Sequence, residues 1–174
     1  MTAKNKVLIG LVIAALISRI APHYPNFTAM GALAFMGANQ NKSLFKIIAL
    51  TFGVLMVSDL FINNFIYPSG SLTLMYKGSL FTYAGFILYA VAGRYAKTGA
   101  KSIVALVAGS IGFFLLSNLG VFLSEFSLFP RTASGLAATY AAAIPFYAPE
   151  LISTALFSAI AYAAEIKLVA TAKA

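Results

Sequence analysis

The chain has 174 residues, of which 61% are hydrophobic and only 9% are charged, and its formal net charge is +8. Because soluble domains carry roughly 25% charged residues, this composition excludes an ordinary soluble surface and predicts an all-α integral membrane protein forming one domain over residues 1–174. The basic residues stand singly or in pairs between apolar runs, which argues against nucleic acid as a partner. Cysteine is absent, which excludes disulfides and thiolate metal sites.

Six apolar segments along the chain predict a bundle of about six transmembrane helices in the lipid bilayer. They cover residues 7–21, 27–39, 47–66, 78–93, 103–123 and 151–166. The second is too short to cross a bilayer upright, so it could be a half-helix, a re-entrant element or a span completed by its polar ends. Before the last span, the semi-apolar stretch 132–144 ends at Pro145 and predicts a short helix at the interface or in the mouth of the bundle.

The distribution of basic residues predicts that both termini lie in the cytoplasm. With the N-terminus inside, only Lys77 and Arg131 fall in external segments. The cytoplasmic segments contain Lys4, Lys6, Lys42, Lys46, Arg94, Lys97, Lys101, Lys167 and Lys173. A five-span arrangement would break this alternation. The sequence therefore predicts six spans in a membrane, with a bacterial inner membrane as the expected location.

Two opposite charges interrupt the apolar spans at similar depth. Arg19 lies in the first span and Asp59 in the third. An ionised side chain in the hydrocarbon costs on the order of 3 kcal/mol even on the mildest scale. Three interpretations are open: a structural ion pair, a ligand or proton role for one of the two, or snorkelling of Arg19 to the outer interface.

Further polar residues fall in the outer half of the predicted bundle, whereas the inner half is mostly apolar. Glu150 opens the sixth span, where a carboxylate also complements a helix N-terminus. The candidate substrate-binding residues are Arg19, Asn26, Asp59, Asn63, Asn118, Tyr140 and Glu150. Together they suggest a polar cup open to the outside with Tyr140 as an aromatic wall. Aromatic residues at this level could equally form the ordinary interfacial belt.

Small residues at four-residue spacing form a ridge on the first span. The ridge consists of Gly10, Ala14 and Ser18. Such spacing lets helix backbones approach closely. It could serve packing within the bundle or docking of a separate membrane partner, such as a scaffold or a larger complex.

No arrangement of residues indicates an enzyme. The single His23 has no acidic cluster around it, so a metal site is not expected. The chain has no P-loop pattern and cannot energise transport through ATP by itself. Nothing in the sequence identifies a cofactor.

Several motifs resemble those of a family of small uncharacterised bacterial membrane proteins. The main one is RIAPHYPNFTAMGALAF at 19–35, followed by SDL at 58–60, GFF at 112–114 with SN at 117–118, and GL at 135–136 with Tyr140 and IPF at 144–146. The chain departs from that pattern at Ala29, where the family usually has proline, and at Glu150, in a stretch that tends to be Asn-rich.

That family is similar to the S components of energy-coupling-factor transporters, which are six-helix proteins that capture vitamins or metal ions from outside. The resemblance implies a transport protein that binds a small solute, such as a vitamin, a cofactor precursor or a metal ion, from the outer face. It also implies that small residues on the first helix contact a scaffold subunit. The alternative is a non-catalytic structural or accessory subunit of a larger membrane complex.

Overall fold

The computed structural model describes residues 1–40, 43–68, 70–96, 99–125 and 127–172, and within these ranges the chain is helical without strands. The helices are α1 (Ala3–Ile20), α2 (Met30–Gln40), α3 (Leu44–Phe61), α4 (Ser79–Tyr95), α5 (Ala100–Leu123) and α6 (Ala133–Thr171). A π-helical turn, Ile62–Ile66, continues α3. Three stretches, Leu44–Ile66, Ala100–Leu123 and Ala133–Thr171, are long and apolar enough to cross a membrane. The fold therefore indicates membrane association.

Side-chain hydroxyls mark where three of the helices begin. Thr2 accepts a hydrogen bond from the Asn5 amide ahead of α1, and Thr132 accepts one from the Gly135 amide ahead of α6. Ser43 caps α3 in the same way. These bonds satisfy amides that have no partner within the helix.

The short α2 lies at the centre of the molecule. Its residues from Met30 to Ala38 are all buried, and α1, α3, α4, α5 and α6 all contact it. With 11 residues, it is about 16 Å long, roughly half of a bilayer core of about 30 Å. The short second segment predicted from the sequence is thus a helix enclosed by all the others.

The chain turns back into the bundle before α2. Asn26 has a backbone φ of 64°, a left-handed conformation that asparagine tolerates better than most residues. Further along, the Ala29 amide donates to the Ser18 hydroxyl at 3.0 Å. The start of α2 is therefore fixed beside the last turn of α1, three residues later than the start of the predicted segment.

Close contact with α2 requires glycine at two positions. A Cβ added to Gly93 on α4 would lie 2.0 Å from the Phe35 carbonyl oxygen of α2. A Cβ added to Gly31 would lie 2.1 Å from the Thr154 hydroxyl of α6. Only glycine lets these backbones and side chains approach so closely.

Most of the described basic residues lie at one end of the bundle, which is called the basic end. At the basic end Gln40 Nε2 donates to Glu165 Oε2 at 2.7 Å, and Asn39 Nδ2 donates to the Ala96 carbonyl at 2.6 Å. Near this end lie Lys4, Lys6, Lys46, Arg94, Lys101 and Lys167, whereas Lys77 and Arg131 lie at the other. Lys42, Lys97 and Lys173 lie outside the described residues. The up-and-down course of the helices agrees with the charge alternation; which end faces the cytoplasm stays a prediction.

The predicted break at Pro145 is wrong. Residues 133–171 form one helix with Pro145 and Pro149 inside it, so the structure has no separate interfacial helix at 132–144 and no span that starts at 151. Proline removes one backbone hydrogen bond, which is why the sequence suggested an end. Alanine, the best helix former, dominates the residues before Pro145, and membrane bundles accommodate proline within their helices.

Candidate functional site

A cavity of about 870 Å³ lies between the helices towards the end opposite the basic one. Its walls come from the end of α1 and the loop after it, the π-helical turn, and the adjoining portions of α4, α5 and α6. His23, Tyr67 and Lys77 lie on the exposed loops of its rim. Five segments distant in the sequence therefore converge on one open space.

The floor of the cavity lies at the same level on three helices. The lining ends at Phe86 on α4, at Phe113 on α5 and at Glu150 on α6. The buried residues about one turn further towards the basic end are Tyr89, Ser110 and Thr154. Since the Thr154 hydroxyl also meets Gly31, the N-terminal end of α2 lies directly beneath this floor.

Glu150 is a buried carboxylate held by hydroxyl groups. Tyr89 Oη donates to Oε1 at 2.7 Å, Ser110 Oγ donates to Oε2 at 2.9 Å, and Thr154 Oγ1 donates to Oε1 at 3.2 Å. The residue is only 5% exposed. The expectation that Glu150 complements a helix N-terminus is wrong, because it lies well inside the continuous α6.

Arg19 and Asp59 form an ion pair within the bundle. The guanidinium group pairs with Asp59 Oδ1 and also donates from Nε to Ser58 Oγ at 2.7 Å. Tyr83 Oη donates to Asp59 Oδ2 at 2.7 Å. Arg19 lines the cavity, whereas Asp59 lies behind it. Of the three interpretations left open by the sequence, the structure contains the ion pair.

The structure places two of the three candidate asparagines on the cavity wall. Asn26 and Asn118 line it, and Asn118 Nδ2 donates to the Phe114 carbonyl of its own helix at 2.8 Å. Asn63 lies off the wall, with a buried Nδ2 that has no hydrogen-bond partner among the described residues.

Tyr140 stands behind the wall rather than on it. Its hydroxyl donates to the Leu115 carbonyl at 2.8 Å. Its ring packs against Phe114, with the centroids 5.8 Å apart, and Phe114 is the residue that lines the cavity. Asp59, Asn63 and Tyr140 are therefore the sequence candidates that the structure does not bring to the cavity surface.

Aromatic rings form much of the inner wall. The Phe86 and Phe113 centroids lie 4.6 Å apart, and those of Phe114 and Tyr147 lie 5.1 Å apart. Phe146 also lines the cavity. Rings held against each other in this way give the site rigid, flat apolar surfaces.

An exposed ion pair stands at the rim. Lys77, which lines the cavity, pairs with the exposed Glu125 of the loop after α5. The ammonium group lowers the pKa of the Glu125 carboxyl through a hydrogen bond and its charge. Both cations named on the wall, Arg19 and Lys77, therefore already have an acidic partner.

Sequence reasoning missed the hydroxyl groups around Glu150. Thr154 follows Glu150 by four residues, a spacing that places both on one helix face, so it could have been found. Tyr89 and Ser110 carry no such signal because they come from other helices. Within the described ranges, no three His, Asp or Glu side chains are grouped so that they could hold a metal ion.

The small-residue ridge on α1 is split between inside and outside. Ala14 packs against the core, and the Ser18 hydroxyl accepts the Ala29 amide. Gly10 is exposed, with no atom within 4 Å of an added Cβ. Gly10 is therefore the most accessible residue of the ridge, whereas Ala14 and Ser18 are partly buried.

Comparison with known proteins assigns the chain to a family. A family model described as a family of unknown function, DUF6580, covers residues 1–173. No curated protein and no solved structure matches the chain. The cavity is therefore the feature that can indicate a function.

Proposed function

The chain belongs to the DUF6580 family, and we propose that it binds a small solute in this cavity as an S-component-like transport protein. The observation that carries the proposal is the cavity itself. Its volume of about 870 Å³ lies within the range of roughly 300–1,000 Å³ that small-molecule sites occupy.

The lining supports a binding role by its chemistry. Small-molecule sites combine aromatic walls with a few converging polar groups. Here Phe86, Phe113 and Tyr147 supply the former, and Glu150 and Asn118 supply the latter. These groups come from α4, α5 and α6, so a bound solute would connect elements that are distant in the sequence.

The proposal includes an orientation in the bacterial inner membrane. With all six helices embedded and both termini in the cytoplasm, as the basic residues favour, the cavity opens to the outside. Cysteine is absent from the chain, so single cysteines can be labelled without background. A membrane-impermeant thiol reagent applied to intact spheroplasts should label a cysteine at Leu128 but not one at Thr2. If only the Thr2→Cys variant were labelled, the orientation would be opposite to the proposed one.

In this proposal, transport by the chain requires a partner protein. The sequence has no P-loop, so an energising module in the membrane would drive release of the solute. The exposed Gly10 end of the α1 ridge is the suggested contact. Replacing Gly10 by leucine should weaken co-purification of such a module and leave solute binding intact.

Filling the cavity provides the direct test of solute binding. Ala143 lines the cavity and is buried, whereas its neighbour Ala142 is exposed. Phenylalanine at position 143 should therefore occupy the solute space, and phenylalanine at position 142 provides a matched control. Each variant would be purified from native membranes and its small-molecule content measured by mass spectrometry.

The expected result is a solute that co-purifies in near-stoichiometric amount with the wild type and Ala142→Phe but is lost from Ala143→Phe. Retention of the solute by a folded Ala143→Phe variant would place binding elsewhere. A stable complex with other proteins and no solute in any preparation would favour the accessory-subunit alternative.

A further inference from the structure

We infer that the cavity selects an organic cation with a flat apolar body, whose positive group pairs with Glu150. This inference rests on the proposed function and specifies its solute class. It follows from the charges on the wall, from the position of Glu150 and from the rings around it.

The floor of the cavity contains a carboxylate that, as far as the structure describes the chain, has no cationic side chain beside it. Two ion pairs occur among the described residues, Arg19 with Asp59 and Lys77 with Glu125. Each cation of the wall is therefore matched by a carboxylate beside it. Glu150 takes part in neither pair, so within the described part of the chain it is the wall carboxylate without a cationic partner.

The hydroxyl groups around Glu150 offset only part of the cost of its burial. Hydrogen bonds to a carboxylate are stronger than those between neutral groups, and Tyr89, Ser110 and Thr154 provide three of them. A buried charge still costs free energy unless an opposite charge approaches it. A ligand cation reaching the floor would supply that charge.

The surrounding rings favour the same class of ligand. Phe86 and Phe113 lie at the level of Glu150, and Tyr147 precedes it by about one turn of α6. Aromatic faces attract cations, most strongly where water is excluded. The same rings offer apolar area to the body of the ligand.

Three indole derivatives of similar size provide a charge series for the test. Tryptamine is a cation at neutral pH, tryptophol is neutral and indole-3-propionate is an anion. The chain contains no tryptophan, so it adds no indole fluorescence of its own to that of the probe. Binding would be measured by fluorescence anisotropy with the purified full chain in phosphatidylcholine nanodiscs, and empty nanodiscs would correct for partitioning into lipid.

The expected order of affinity is tryptamine, then tryptophol, then indole-3-propionate, with at least about a tenfold step between the first two. In Glu150→Gln this step should disappear while tryptophol still binds. Glu165→Gln is the matched control, because Glu165 lies on the same helix, at the basic end and away from the cavity. It should retain the preference.

If Glu150→Gln does not fold, Tyr89→Phe provides a second variant. It removes one hydroxyl donor and leaves the carboxylate in place, so the preference for tryptamine should persist or increase. Its loss in folded Tyr89→Phe would contradict a direct role of the carboxylate.

The outcomes separate the two proposals. Equal binding of tryptamine and tryptophol by the wild type would overturn the cation inference and leave solute binding intact. A tryptamine preference that survives in Glu150→Gln would also overturn it. Failure of all three probes at millimolar concentration, together with no co-purified solute, would count against both proposals.

Discussion

Replacing Gly93 by alanine should weaken the packing of the central helix α2 against α4. The new Cβ would lie 2.0 Å from the Phe35 carbonyl oxygen and 2.8 Å from its carbonyl carbon. Real Cβ contacts essentially never fall below 3.0 Å, so the backbones must separate by about 1 Å, the difference between 3.0 and 2.0 Å. Because α2 is enclosed on all sides, it cannot retreat without disturbing other contacts.

The magnitude follows from two opposing effects. Overpacking of a core typically lowers stability by about 1–3 kcal/mol. Because the added Cβ meets backbone atoms, which cannot move aside as a side chain can, the loss should lie near the upper end of that range, at about 3 kcal/mol. Alanine gains about 1 kcal/mol over glycine in helix propensity, which leaves a net loss of about 2 kcal/mol. At roughly 2–4 °C per kcal/mol for a chain of this size, the melting temperature should fall by about 4–8 °C.

The assay is thermal unfolding of the purified protein in detergent, followed by loss of the monodisperse peak in size-exclusion chromatography. Gly53→Ala on α3 is the control, because nothing lies within 4 Å of its added Cβ. It should melt at or slightly above the wild-type temperature. The reasoning would be refuted if Gly93→Ala melted as high as Gly53→Ala.

Three further perturbations test the polar contacts. Arg19→Met leaves Asp59 buried without its cation and should lower the free energy of unfolding by about 3–5 kcal/mol, measured as a lower melting temperature. Combining it with Asp59→Leu should restore most of this stability. Equal stability of the single and double variants would contradict the pairing. Tyr89→Phe should cost about 1.5–3 kcal/mol through the lost bond to Glu150, and a melting temperature equal to that of the wild type would show that the bond contributes nothing. Glu125→Gln breaks an exposed pair and should change the melting temperature by about 2 °C or less. Because the pair lowers the pKa of the Glu125 carboxyl, any difference from the wild type should be present at neutral pH and vanish as the pH falls through that lowered pKa; a difference that grew in acid would contradict the pairing.

The helical class and most helix positions could be predicted from hydropathy alone. Apolar runs interrupted by basic turns placed α1, α3, α4 and α5 within a few residues of their observed bounds. The central position of α2 could not be predicted, because α2 is apolar on every side, like several of its neighbours. Its length was the available signal, and length does not say which neighbours enclose it.

The sequence could predict at which end of the bundle the site lies, but not which residues line it. The one-sided distribution of polar residues pointed to the end where the cavity lies, and Arg19, Asn26, Asn118 and Glu150 line it. The depth of Glu150 could not be predicted, because proline usually ends a helix, whereas α6 continues through Pro145. Sequence periodicity also cannot tell a wall residue from one behind it, as Tyr140 shows.

Helix α2 is only about half as long as a membrane span, and this has an electrical consequence. Beneath the cavity floor, about 16 Å of helix remains to the basic end, in place of a full hydrocarbon core of about 30 Å. In the proposed orientation, water that filled the cavity down to Glu150 would carry the external potential to this depth. The transmembrane voltage would then fall over roughly half the usual distance, and one elementary charge crossing it would gain about 2.3 kcal/mol per 100 mV. An inside-negative potential would therefore pull a cation held at Glu150 towards the cytoplasm.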